Sequence, residues 1–135
     1  MRLPTCHTPL SSVISDNPKF YPFLKDAVGG MDGTQIGASP REKDSRARYR
    51  NRKGFLSTNV LVAVNFDLMY VYVLSGWEGS ASDSAIYHDA RTGDLAIPNG
   101  SYFLADAGYP ACNALLVPYR GVRYHLREWG AANQR

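Results

Sequence analysis

Two aspartates of this chain share an unusual setting. Each follows apolar residues and precedes small ones: Asp32 in Met31-Asp32-Gly33-Thr34 and Asp106 in Ala105-Asp106-Ala107-Gly108. Placing a carboxylate against hydrophobic strand residues is costly unless a partner compensates its charge, and a divalent cation held by carboxylate oxygens is such a partner. Oxygen ligands select a hard ion, magnesium or manganese. Taken singly, an aspartate here is more often a turn-former or a cap than a ligand, so it is the repetition of the setting that singles out the pair. Asp83 has two readings, as a carboxylate standing beside the metals or as the cap of its own helix. His88 and His125 read as ordinary surface or core histidines, and Trp77, Tyr109 and Tyr124 as core aromatics rather than platforms for unpaired bases.

A second feature is charge. Arg41, Lys43, Arg46, Arg48, Arg50, Arg52 and Lys53 fall within thirteen residues beside only Glu42 and Asp44, so this segment is more positive than the whole chain, whose formal charge is +3. Basicity confined to one segment predicts one edge that faces a polyanion, with a solvated basic loop as the alternative. Arg46, Arg48, Arg50, Arg52 and Lys53, with Tyr49 among them, suit contacts to DNA phosphates that position a duplex without reading its sequence. The same run has the composition of a nuclear-localisation patch, which places the protein in the nucleus of a eukaryote and otherwise inside the cell.

These groups need elements to hold them. The prolines and polar residues of the first 22 positions argue against long regular structure there, with a turn of helix at residues 10–15. Ala27, Val28, Met31 and Ile36 outline a short buried strand interrupted at Gly29 and Gly30, where a bulge or a close backbone approach is expected. Residues 37–46 read as a polar loop. The β-branched run at 57–65 and the apolar run at 68–74, separated by Asn65-Phe66-Asp67, predict an antiparallel hairpin closed by residues 77–80. Ser80, three residues before Asp83, has capping-box spacing and predicts a helix through Ile86, Tyr87 and Ala90 that stops at Gly93. Residues 102–105 and 115–117 are two further short strands, with Asp106 at the end of the first. Strand, hairpin, helix, strand, strand describes an α/β fold on a mixed sheet.

The composition, 44% hydrophobic and 20% charged over 135 residues, is that of one folded domain rather than a disordered chain. Cys6 and Cys112 form no CxxC and have no zinc-finger histidines, which argues for a reduced intracellular protein without structural zinc. No apolar run approaches the ~20 residues of a membrane-spanning helix, and the N-terminus has no signal-peptide pattern.

Five segments in order, GGMDGTQI, YRNRKGFLSTNVL, GWEGSASDS, YFLADAGYP and PYRGVRYHL, make nearly the whole chain similar to Harbinger-type (PIF/Harbinger) DDE transposases and the nucleases derived from them. Gln35 departs from the pattern, since the family often has a histidine there. The resemblance implies an RNase H-like mixed sheet with flanking helices, in which two aspartates and a glutamate hold two divalent cations that hydrolyse a phosphodiester and then drive strand transfer. Asp32 and Asp106 match the first two acids. The third belongs to a helix beyond Arg135, so residues 1–135 are expected to be a partial catalytic domain, incomplete at the C-terminus, with 1–22 as its lead-in. Glu128, in a segment that precedes that helix, is not assigned as a ligand. The implied partners are DNA and a separate DNA-binding protein; an inactive fragment or a non-catalytic DNA- or protein-binding domain are the alternative outcomes.

Overall fold

A computed structural model describes residues 1–41 and 46–122. Glu42, Lys43 and Asp44 of the basic segment, and Tyr124, His125 and Glu128 near the C-terminus, lie outside the described residues. Eight elements follow in order: α1 (Ser12–Ser15), β1 (Ala27–Gly37), α2 (Arg46–Tyr49), β2 (Ser57–Val64), β3 (Tyr70–Glu78), α3 (Asp83–Thr92), β4 (Tyr102–Leu104) and β5 (Leu115–Leu116). The five strands form one mixed sheet in the order β3-β2-β1-β4-β5. The β1/β2 and β2/β3 pairs are antiparallel, whereas β1/β4 and β4/β5 are parallel. This is the α/β mixed sheet that the element order predicts.

Several boundaries differ from the sequence reading, each for a local reason. β1 is not a short strand broken at its glycines but an eleven-residue strand that passes through them with an irregularity between Ala27 and Gly29. Gly29 is there because a Cβ would stand 1.9 Å from the backbone oxygen of Val64, so any larger residue would push β1 away from the end of β2. β3 starts at Tyr70 rather than 68 and continues through Trp77 to Glu78, residues expected to lie in the closing turn. The Asn65 side chain accepts from the N–H groups of Asp67 and Met69, and Leu68 has φ 60°, so the connection consumes Leu68 and Met69. α3 is capped by Ser82 rather than Ser80: the Ser82 backbone is extended and its hydroxyl accepts from the Ala85 N–H. Arg46, the last residue of the expected polar loop, instead begins a helical turn, Arg46–Tyr49.

One face of α3, carrying Ile86, Tyr87 and Ala90, packs on the sheet with Met31, Leu61, Ala63, Tyr72, Phe103 and Leu115. The i, i+1, i+4 spacing brings the three helix residues to one side, and burying a side chain such as Ile86 or Leu61 contributes roughly 1.5–3 kcal/mol. Met31 pairs with Ala63 and Gly33 with Leu61, so these residues face the helix. Strand alternation turns Asp32 and Val62 to the opposite face.

Candidate active site

Asp32 and Asp106 reach one place through the parallel pairing of β1 and β4. Gly30 is in register with Leu104, and each aspartate stands two residues further along its chain. Both border the same depression on the face opposite α3, whose walls include Gly30, Val62, Val64 and Leu104. The two carboxylates are oriented alike. The Gly33 N–H donates to Asp32 Oδ1 at 2.7 Å, and the Gly108 N–H donates to Asp106 Oδ1 at 2.9 Å. For Asp32 the donor is the next residue of the extended strand β1, and for Asp106 it is the second residue on, in the turn after β4.

Asp83 approaches from the other side of the sheet, in the first turn of α3. It does not cap the helix through its side chain; its Oδ1 accepts from Asn59 Nδ2 at 3.2 Å, while Asn59 also donates to the carbonyl of Ala81. Two glycines make room for it. A Cβ on Gly33 would lie 2.6 Å from Asp83 Oδ1, and one on Gly108 would lie 3.1 Å from Asp83 Oδ2 and 3.0 Å from Asp106 Oδ1. Asp83 and Asp106 thus converge on Gly108, but β1 separates Asp83 from Asp32. Accordingly, among the described residues no three acidic, histidine or cysteine side chains are grouped to hold a metal ion.

The charge of the neighbouring acids reaches Asp32. Partial burial raises the Asp32 carboxyl above its ordinary range, the Gly33 N–H opposes this, and the charges of Asp106 and then Asp83 add to the rise. Tyr109 lies beneath them, fully buried, its ring edge-on to Tyr87 at 6.2 Å. Its hydroxyl has no hydrogen-bond partner among the described residues, and burial followed by the charges of Asp83, Asp32 and Asp106 holds its ionisation far above the usual tyrosine range. Tyr109 therefore stays a neutral donor under the acids, a role that its reading as a core aromatic includes only in part.

The one ion pair among the described residues is remote from this centre, between Arg48 and Glu78 at 3.8 Å. Arginine or lysine therefore does not neutralise Asp32, Asp83 or Asp106 within that set. Two like-charged carboxylates with one oxygen each tied to a backbone N–H, and no basic partner, fit a single hard divalent cation, which is commonly held by one or two carboxylates with waters completing its shell.

The basic segment reaches the same region by a different route. Arg46, Arg48, Arg50, Arg52 and Lys53 are all exposed. An Arg50–Leu56 bridge closes a tight turn whose tip carries Arg52 and Lys53, and the buried Asn51 side chain accepts from the N–H groups of Lys53 and Phe55. His88 is exposed on α3, and the Trp77 indole N–H donates to Asp89, so neither faces the acids.

The family model of a DDE superfamily endonuclease matches residues 31–134, which include both aspartates and the basic turn. The chain belongs to this family. No curated protein and no solved structure matches it. Membership in the DDE superfamily gives the domain a nuclease or transposase type of function, with DNA as the implied substrate, and members of the superfamily use divalent metals. Sequence reading of this DDE-family domain missed Asn59 and the second duty of Gly33 and Gly108. A polar residue on the helix-facing side of an otherwise apolar strand was the available signal for Asn59, which is 2% exposed.

Proposed function

We propose that this chain is the catalytic core of a divalent-metal-dependent DNA endonuclease or transposase of the Harbinger type, built on an RNase H-like sheet. The observation that carries the reading is the arrival of Asp32, on β1, and Asp106, two residues past the end of β4, at one depression, each with one oxygen held by a following backbone N–H. Asp32 and Asp106 would hold magnesium or manganese, and the bound ion would activate the attacking water and stabilise the leaving oxygen. The Gly33 and Gly108 amides keep the carboxylates aimed. Asp83, anchored by Asn59, adds negative charge beside Asp106, and Arg46, Arg48, Arg50, Arg52 and Lys53 hold phosphates without reading bases.

Residues 1–22 act in this reading as a lead-in to the same domain, supported by Ile14, which is 1% exposed. Target choice falls to a separate DNA-binding protein, and the site of action is the nucleus of a eukaryotic host.

The test combines metal binding with cleavage. Magnesium or manganese should raise the melting temperature of the chain, and Asp106→Asn should remove the rise. Residues 1–135 alone, with two of the three acids, should nick supercoiled plasmid poorly, whereas a version extended through a glutamate-bearing helix should nick it in a metal-dependent way that Asp32→Asn and Asp106→Asn abolish. DNA binding without metal-dependent stabilisation or nicking would identify a non-catalytic DNA-binding domain instead.

A further inference from the structure

Between the Arg52–Lys53 turn and Asp83 lies a recess of about 190 Å³, on the α3 side of the sheet. It is smaller than the roughly 300–1,000 Å³ of drug-sized ligand sites, and its size suits one planar ring system. Its wall contains an unmet hydrogen-bonding group. Asn59 spends its amide N–H groups on Ala81 and Asp83, both acceptors, which fixes the orientation of the amide and leaves Oδ1 buried without a partner. A buried acceptor left unpaired costs about 1–3 kcal/mol, so a ligand that brings an N–H to it is favoured.

A donor stands on the same wall. Gln35 Oε1 accepts from the Ser57 hydroxyl at 2.6 Å, which in turn accepts from Asn51 Nδ2, so the Gln35 amide presents its N–H groups. An acceptor and a donor side by side match the Watson–Crick edge of a nucleobase, where an N–H adjoins an acceptor in every base. Phe55 borders the recess with its side chain 46% exposed, available for stacking. Charge sets the direction of entry: the Asp83 carboxylate repels an anion from the interior, whereas Arg52 and Lys53 attract one at the turn.

We infer that this recess receives one unpaired base of a DNA strand, stacked on Phe55 and hydrogen-bonded to Asn59 Oδ1 and Gln35, with its phosphate held by Arg52 and Lys53. The inference rests on DNA being the substrate, and it adds that the strand is bound with a base out of the stack. Asp83 borders the recess and converges with Asp106 on Gly108, so a base seated here stands next to one edge of the acid group, with Asp32 on the opposite face of β1. Recognition is tolerant of base identity, because stacking and a shared N–H edge serve all four bases.

Fluorescence anisotropy with the full chain and labelled duplexes tests this. The duplexes carry a single-nucleotide overhang that is thymine, its non-hydrogen-bonding isostere difluorotoluene, or an abasic sugar. Thymine should bind about fivefold or more tighter than the abasic end, the lower bound of base–aromatic stacking, with difluorotoluene weaker than thymine. Phe55→Ala, at an exposed position that folding tolerates, should bring thymine and abasic ends to equal affinity while the salt dependence stays unchanged. Equal binding of the two ends by the unaltered chain, or a preference that survives Phe55→Ala, would overturn the base site and leave DNA binding standing. Equal binding of thymine and difluorotoluene would remove Asn59 and Gln35 from it. Absence of binding to every duplex at low salt would instead overturn the reading of DNA as substrate.

Discussion

Asn59 Nδ2 donates to Asp83 Oδ1 at 3.2 Å, tying the middle of β2 to the first turn of α3. The same amide serves the Ala81 carbonyl just before the helix, so one side chain fixes where α3 begins. Asn59→Ala should therefore cost about 2–3 kcal/mol, because it strips a donor from two acceptors in a partly buried place. Asp83→Ala should cost less, roughly 1 kcal/mol, since Asn59 keeps its bond to Ala81. Urea unfolding measures both; equal losses would mean that Asn59 does not organise the helix start.

The glycines of β1 should separate by what surrounds them. Gly29→Ala should cost more than about 3 kcal/mol or prevent folding, since the new methyl meets the Val64 carbonyl at 1.9 Å. Gly33→Ala meets the Asp83 carboxylate at 2.6 Å and Asn59 Oδ1 at 3.1 Å, side-chain atoms that can yield, so about 1–2 kcal/mol is expected together with a loss of metal-induced stabilisation. Gly37→Ala meets nothing within 4 Å and should be neutral or stabilising by up to about 1 kcal/mol. A thermal-melt series over the three variants checks the order.

Tyr72 gives an alkaline signature. Its hydroxyl donates to Asp94 Oδ1 at 2.7 Å, and burial, that bond and the charges of Asp94 and Asp89 push its ionisation up from 10.0 to about 12. A folded value above the unfolded one means that the folded state holds its proton longer. The resulting stability is fully present below about pH 10 and is lost as pH rises towards about 12. Tyr72→Phe should remove this decline and lower stability at neutral pH by about 1 kcal/mol. Denaturation midpoints from about pH 8 to 12, compared between the two chains, decide it.

Arg48 and Glu78 form an exposed pair whose side chains are 75% and 34% accessible, a kind of pairing worth only about 0–1 kcal/mol to stability. Its effect should fall on DNA. Glu78→Gln should strengthen binding by releasing Arg48 to a phosphate, whereas Arg52→Gln should flatten the log–log salt dependence by about 0.9, the share of a single neutralised phosphate. An unchanged slope for Arg50→Gln, Arg52→Gln and Lys53→Gln together would remove this segment from the interface.

What the sequence by itself determined was local. The β2–β3 hairpin, the α3 stretch with Ile86, Tyr87 and Ala90 on one side, and the small residues after Asp32 and Asp106 are legible because alternation, helical period and turn chemistry act over a few neighbouring positions. Even there, local signals that compete over two or three residues were settled by the folded backbone: Ser82 caps α3 in place of Ser80, and the Asn65 turn takes Leu68 and Met69 out of β3. Only the tertiary structure decided the relationships across the chain. The parallel pairing of β1 with β4 sets Asp32 beside Asp106, the approach of Gly29 to Val64 sets how close β1 and β2 run, and the docking of α3 brings Asp83 to Asn59. These depend on which faces pack together and how closely backbones approach, and side-chain volume and hydrogen-bond satisfaction in three dimensions decide both.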